Sequence, residues 1–199
     1  MKPAAAWPQQ ALVGVGGATA LVALLLSFLS PGWLRLAGAS PNWLVLWLLP
    51  WARSQGPIAG LAGACILGIA LETMTIGVAT PLYGLALLAW FWGRQTRPGK
   101  IIRPSPAAMA IQATLGSLLV DVTVMMQLRL LADPRSGHVQ PGAGILSSDV
   151  AAAGWFGREI TNAGFHGAIA AALVTGFLAP LVGTLLLRLW CQLDRTRHG

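Results

Sequence analysis

The stretch LGIALETMTIGVATPLYGLALLAWFWGR, Leu67 to Arg94, is apolar around a single acid, Glu72, and predicts two tightly connected membrane helices. Apolar residues run from Ile58 to Leu71 before the acid and from Met74 to Leu88 after it. A carboxylate at bilayer depth costs roughly 2.5 to 3.5 kcal/mol on insertion scales, so one retained there usually has a partner or lines a pathway. Glu72 is therefore the first candidate for a structural or functional role.

The composition outside this stretch is of the same kind. The chain has 199 residues, 55% of them hydrophobic and only 10% charged, with a mean hydropathy of +0.67. These values lie well beyond those of a soluble globular domain. They predict an all-α integral membrane protein, a compact bundle of about six transmembrane helices in a single polytopic domain, since each crossing takes about 20 apolar residues. The expected spans are about 11–29, 41–54, 57–77, 79–93, 106–131 and 165–190, with a long loop over 132–164 on the outer side.

Punctuation along the chain sets these limits. Ser30-Pro31-Gly32 breaks the first span, Pro57 opens the third in a favoured first-turn position, and Pro98-Gly99 interrupts the basic segment after the fourth. The first span, with Lys2 ahead of it and Ala37-Gly38-Ala39 behind, also has the outline of a signal peptide, but its apolar run is long for one. The second segment, Pro41 to Trp51, is short for a crossing unless Trp43 and Trp51 mark its two interfaces, and Pro50 is expected to kink or end it. Ser147-Ser148-Asp149 is a candidate cap for an interfacial helix in the outer loop, with Trp155 and Phe156 at headgroup level. The nine Trp residues are read mainly as interface anchors.

The net charge of +7 fits lipid-facing loops better than nucleic acid. With the N-terminus inside, Lys2, Arg53, Arg94, Arg97, Lys100, Arg103, Arg188, Arg195 and Arg197 fall on the cytoplasmic side. Arg35, Arg129, Arg135 and Arg158 fall outside, an asymmetry that satisfies the positive-inside rule and predicts cytoplasmic N- and C-termini.

Small residues supply the expected packing faces, because lipid leaves close backbone approach to hold helices together. Gly56, Gly60, Ala64, Gly68 and Glu72 follow an i,i+4 ridge, of which Ala64, Cys65 and Gly68 share a face with the acid. That places Glu72 toward a neighbouring helix. Ala113, Ser117 and Asp121 repeat the device in the fifth span, and Gly164, Ala168, Ala172 and Gly176 in the sixth. Counted from the inner ends, Glu72 and Asp121 fall at similar depth in the outer half of the bilayer, where two adjacent acids would push one pKa up. The plain alternative for both is a hydrogen-bonded side chain that fastens helices, and for His166 an interfacial position without function.

Motifs for chemistry are missing. The chain has no H-E-x-x-H, G-x-S-x-G or Walker A pattern and no Cys or His cluster at metal spacing, and Cys65 and Cys191 read as ordinary buried thiols. No enzyme activity, cofactor or metal is expected.

Taken in order, Pro41-Asn42-Trp43-Leu44, Leu67-Gly68 with Glu72 four residues on, Gly77, and Pro81-Leu82-Tyr83-Gly84-Leu85 resemble the rod shape-determining protein MreD family. The specific match covers about Pro41 to Arg94, and it departs from the family in having Glu72 where Asp is usual. The resemblance implies a non-enzymatic component of the bacterial cell-elongation machinery in the plasma membrane. It implies docking of an MreC-like partner and, through it, MreB filaments, a RodA-type glycosyltransferase and a class B transpeptidase during lateral peptidoglycan synthesis. It also implies a fold like the substrate-binding subunits of energy-coupling factor transporters. Gly68, Glu72, Gly77, Pro81, Gly84 and Asp121 are the structural or interaction candidates. The alternative is a small-molecule binding subunit of such a transporter for a vitamin-like or cationic ligand. In that case Glu72 and Asp121 would line an outward pocket, supported by Asn42, Thr73, Thr75, Thr80, Gln112, Ser117 and Thr123.

Overall fold

The computed structural model describes residues 8–29, 39–74, 79–95, 105–131 and 162–195. They form six helices: α1 (Pro8–Leu29), α2 (Trp43–Gln55), α3 (Pro57–Met74), α4 (Leu82–Arg94), α5 (Pro106–Leu131) and α6 (Asn162–Arg195). No strand occurs among the described residues. The loop expected over 132–164, with Ser147-Ser148-Asp149, Trp155 and Phe156, falls almost wholly outside them, as does Gly77.

Three segments, Pro57–Met74, Pro106–Gln127 and His166–Trp190, are long and apolar enough to cross a membrane. α2 and α4 have 13 residues each, a rise of about 20 Å against a hydrocarbon core of about 30 Å. The segments expected to span over 41–54 and 79–93 are therefore too short to cross alone.

Where α2 lies explains how a short helix fits. α2 touches each of the other five helices, and these close around it in the order α1, α3, α4, α5, α6 and back to α1. Every residue from Trp43 to Ala52 is buried. A helix apolar on all sides has no face for water and belongs in a core, and the sequence WLVLWLLPWA is such a helix. It continues through Pro50 to Gln55, so Pro50 neither ends the helix nor stops it packing.

Tryptophans fill this centre. Trp47 stacks on Trp51 with ring centroids 5.2 Å apart, and Trp190 meets Trp51 edge-on at 5.6 Å. Trp47 Nε1 donates to Thr19 Oγ1 of α1 (3.0 Å) and Trp51 Nε1 to the Ala59 carbonyl of α3 (3.2 Å). Trp43, Trp47, Trp51, Trp92 and Trp190 are all buried, whereas Trp90 is exposed with the Arg94 guanidinium 4.0 Å above its ring. The expectation that tryptophans are mainly interface anchors is corrected for these five: they are the bulk that a six-helix core needs, and the indole N–H groups of Trp47 and Trp51 find acceptors on neighbouring helices.

Small residues set the close approaches. α2 turns into α3 at Gly56, whose φ of 86° lies in the left-handed region that residues with a Cβ avoid. α3 and α4 run antiparallel, with Gly60 against Ala89, Gly68 against Leu82 and Gly93 against Pro57. α4 and α5 do the same through Gly84 at Val120 and Gly116 at Trp92. α5 and α6 make the most extensive interface, with Gly176 against Thr114 and Gly183 against Met109.

Around this core the outer surface is apolar too. Leu21 and Phe28 of α1, Ile58 and Ile66 of α3, Leu87 and Phe91 of α4, Ile111 and Leu115 of α5, and Leu173, Phe177, Leu181 and Leu185 of α6 are exposed. A bundle apolar both inside and outside has lipid as its solvent.

Candidate functional site

The polar side chains of the interior gather at the start of α2. The chain enters the bundle through Pro41 and Asn42, both buried, and irregular backbone at bilayer depth is tolerated only where protein or a wet cavity surrounds it. Pro41 has no N–H to satisfy. Asn42 N–H donates to Thr175 Oγ1 of α6 (2.8 Å), while Asn42 Oδ1 accepts from Val45 N–H (3.2 Å) and caps α2. Thr175 lies close to the midpoint of the apolar segment His166–Trp190, so α2 begins deep inside the bundle.

Ser117 and Asp121 come near the level of this entry through the register of α5 on α6. Ser117 belongs to the innermost stripe of α5 with Ala113, Val120 and Val124, all buried, between the Val120 contact with Gly84 of α4 and the Thr114 contact with Gly176 of α6. Because Thr114 opposes Gly176 and Met109 opposes Gly183, the antiparallel register brings Ser117 to the level of Thr175 and Asn42. Asp121 falls one turn further along, on the stripe of Ala110 and Thr114 that meets α6. Asn42 is 1% and Ser117 0% exposed. Asn42 Nδ2, Trp43 Nε1, Ser117 Oγ and Asp121 Oδ2 are buried without a hydrogen-bond partner.

Glu72 is elsewhere. It is exposed, in the last turn of α3, and makes no hydrogen bond or ion pair with another described residue. Ala64 and Gly68 of its ridge are buried and Cys65 is half-buried, but the expectation that Glu72 itself faces a neighbouring helix is corrected. Two causes act together. A four-residue ridge turns by about 40° per step on a helix of 3.6 residues per turn, and α4 begins at Leu82 directly across from Gly68, leaving no described helix opposite the final turn. Leu71 takes the inward direction instead, 2% exposed.

The two acids do not come together. α3 and α5 make no contact, being separated by α4. With Gly68 at Leu82 and Gly84 at Val120 and Thr123, Asp121 stands level with residues 66–67 of α3. Glu72 is more than one turn beyond that level.

Of the other candidates, Gly68, Pro81 and Gly84 are buried at the α3–α4–α5 junction, where they set helix separation. Next to them Gln127 of α5 holds Thr80 at both ends, its Oε1 accepting from Thr80 N–H and its Nε2 donating to the Thr80 carbonyl, each at 2.9 Å. At the opposite end of the bundle Arg53 Nη1 donates to Gln112 Oε1, and Gln112 Nε2 to Gln95 Oε1 (3.2 Å). His166 is exposed. No group of three or more His, Cys, Asp or Glu suited to a metal ion occurs among the described residues.

Thr175 was not legible as a site residue, because one Thr in a long apolar run carries no signal of its own. The signal that was available is Asn42, a strong hydrogen-bonding residue directly before an all-apolar helix. Comparison with family models, with curated proteins and with solved structures finds no match to this chain.

Proposed function

We propose that this chain is a non-catalytic membrane component of the MreD type, residing in a bacterial plasma membrane and docking a single-span, MreC-like partner of the cell-elongation machinery. The motif Pro41-Asn42-Trp43-Leu44 with Gly68, Glu72, Pro81 and Gly84 supports the family reading. The exposure of Glu72 carries the docking role: a carboxylate in the last turn of α3, beside exposed Ile69 and Met74, is free to meet a cationic or hydrogen-bonding group on a neighbouring helix at the membrane boundary.

The test is co-purification of tagged chain with a co-expressed MreC-like partner, alongside the shape of cells lacking the chain. Partner recovery and rounded cells are expected; no partner together with unchanged shape sinks the reading. Because Glu72 has no described partner within the bundle, Glu72→Leu is expected to leave folded yield unchanged while reducing partner recovery. A yield loss with Glu72→Leu would instead place the acid in the fold.

The unpartnered polar atoms of Asn42, Ser117 and Asp121 favour a second reading, a small-molecule binding subunit of the energy-coupling factor kind. A molecule retained through purification and identified by mass spectrometry would put that reading first.

A further inference from the structure

Hydroxyls inside the helices of this protein follow one habit. Thr19, Ser27, Ser54, Thr73, Thr114, Thr123, Thr175 and Thr184 each donate to a backbone carbonyl three or four residues back, the ordinary way a helix satisfies such a group in an apolar setting. Ser117 does not: its Oγ is buried and unpartnered although the Ala113 carbonyl is on its own turn. A fully buried hydroxyl that forgoes its own helix has a better partner in the space it faces.

That space is donor-rich at one end and acceptor-rich at the other. On the α2 side stand Asn42 Nδ2 and Trp43 Nε1. The positive end of the α2 dipole adds to this. One turn along α5 stands Asp121 Oδ2, an acceptor. Among the described residues, none is hydrogen-bonded to Asn42 Nδ2, Trp43 Nε1 or Asp121 Oδ2.

We propose that the junction of α2, α5 and α6 is an internal hydration site, in which water accepts from Asn42 Nδ2, exchanges hydrogen bonds with Ser117 Oγ and donates to Asp121 Oδ2. Water both accepts and donates, and buried waters typically make about three hydrogen bonds to polar groups left over by the fold. The wall at this level is built from the short side chains of Ala113, Ala168 and Ala172, so small residues rather than branched ones border it. The site stands independently of the docking role of Glu72.

Hydroxyl-radical footprinting of the full chain in lipid nanodiscs, with an X-ray pulse in oxygen-18 water, tests this directly. Radicals form where water is held, so a buried side chain beside such water is oxidised despite its burial. Trp43 is 9% exposed, close to Trp47 at 4% and Trp92 at 2%, and these two serve as internal controls. Trp43 is expected to take up label several-fold faster than either, and the excess to fall in Ser117→Ala and in Asp121→Leu. Equal rates for the three tryptophans in the unaltered protein overturn the proposal, and so does native mass spectrometry that finds an organic molecule retained by the unaltered chain and released by Ser117→Ala.

Discussion

At the residue scale, the consequences of single substitutions follow from which atoms a new side chain would meet. A Cβ at Gly68 would lie 2.9 Å from Leu82 Cβ and 3.0 Å from its Cα, and one at Gly93 would meet the backbone of Pro57 and Gly56. Backbone cannot rotate away, so α3 and α4 must separate, and overpacking of this kind costs about 1 to 3 kcal/mol. Gly14 has nothing within 4 Å, and Ala there gains helix propensity of up to about 1 kcal/mol. Thermal unfolding in detergent is expected to show Gly68→Ala and Gly93→Ala melting well below the unaltered chain and Gly14→Ala at or above it. Equal melting of all three would mean that these crossings do not hold the bundle. The same scale shows what was legible. Gly60, Ala64 and Gly68 were correctly read as a packing ridge because spacing alone defines it. The direction of Glu72, one step further on, depended on where α4 begins, and no local pattern encodes the end of a neighbouring helix.

At the element scale, α2 and α4 account for the main departures from the expected architecture. The period of apolar residues marked them as membrane segments, but their length decides their place. A 13-residue helix surrounded by longer ones leaves its N-terminus at depth, and that is why Asn42, Thr175 and Ser117 are drawn together inside. The run WLVLWLLPWA held the evidence for a central helix, since it has no polar face to present to anything. Reading Trp43 and Trp51 as interface markers followed a rule about helices that touch lipid, which α2 does not. α4 is short at its α3 end, and there the Gln127 side chain replaces a helical turn by pairing with both backbone groups of Thr80. Gln127→Leu leaves a donor and an acceptor unpaired, at about 1 to 3 kcal/mol for each group when buried and less here, where both residues are half-buried. Gln127→Glu retains the bond from Thr80 N–H and loses the other. Melting temperatures are expected to rank unaltered, then Gln127→Glu, then Gln127→Leu; a Leu variant as stable as the unaltered chain would show that packing alone holds the α4–α5 seam.

At the scale of the whole molecule, two surfaces that share an apolar character are sorted by position, and charge marks the ends. Arg53 and Arg94, with Gln95 and Gln112, gather at one end of the bundle, whereas Glu72, Thr73 and Asp121 lie toward the other. The positive-inside count made from sequence would put the Arg53 end in the cytoplasm, and that expectation can be measured without knowing the partner. Ser54 and Thr73 are exposed residues near opposite ends, with no bond to another helix, so cysteine at either is tolerated by the fold. In a background carrying Cys65→Ala and Cys191→Ser, Thr73→Cys is expected to react with a membrane-impermeant maleimide in intact cells. Ser54→Cys is expected to react only after the membrane is opened. The reverse pattern would invert the topology. It would also move the exposed Glu72 to the cytoplasmic side, where a partner would have to meet it from within the cell. Labelling of both positions in intact cells would mean that the bundle does not separate its two ends across the bilayer at all, against the roughly 27 Å that the 18 residues of α3 rise.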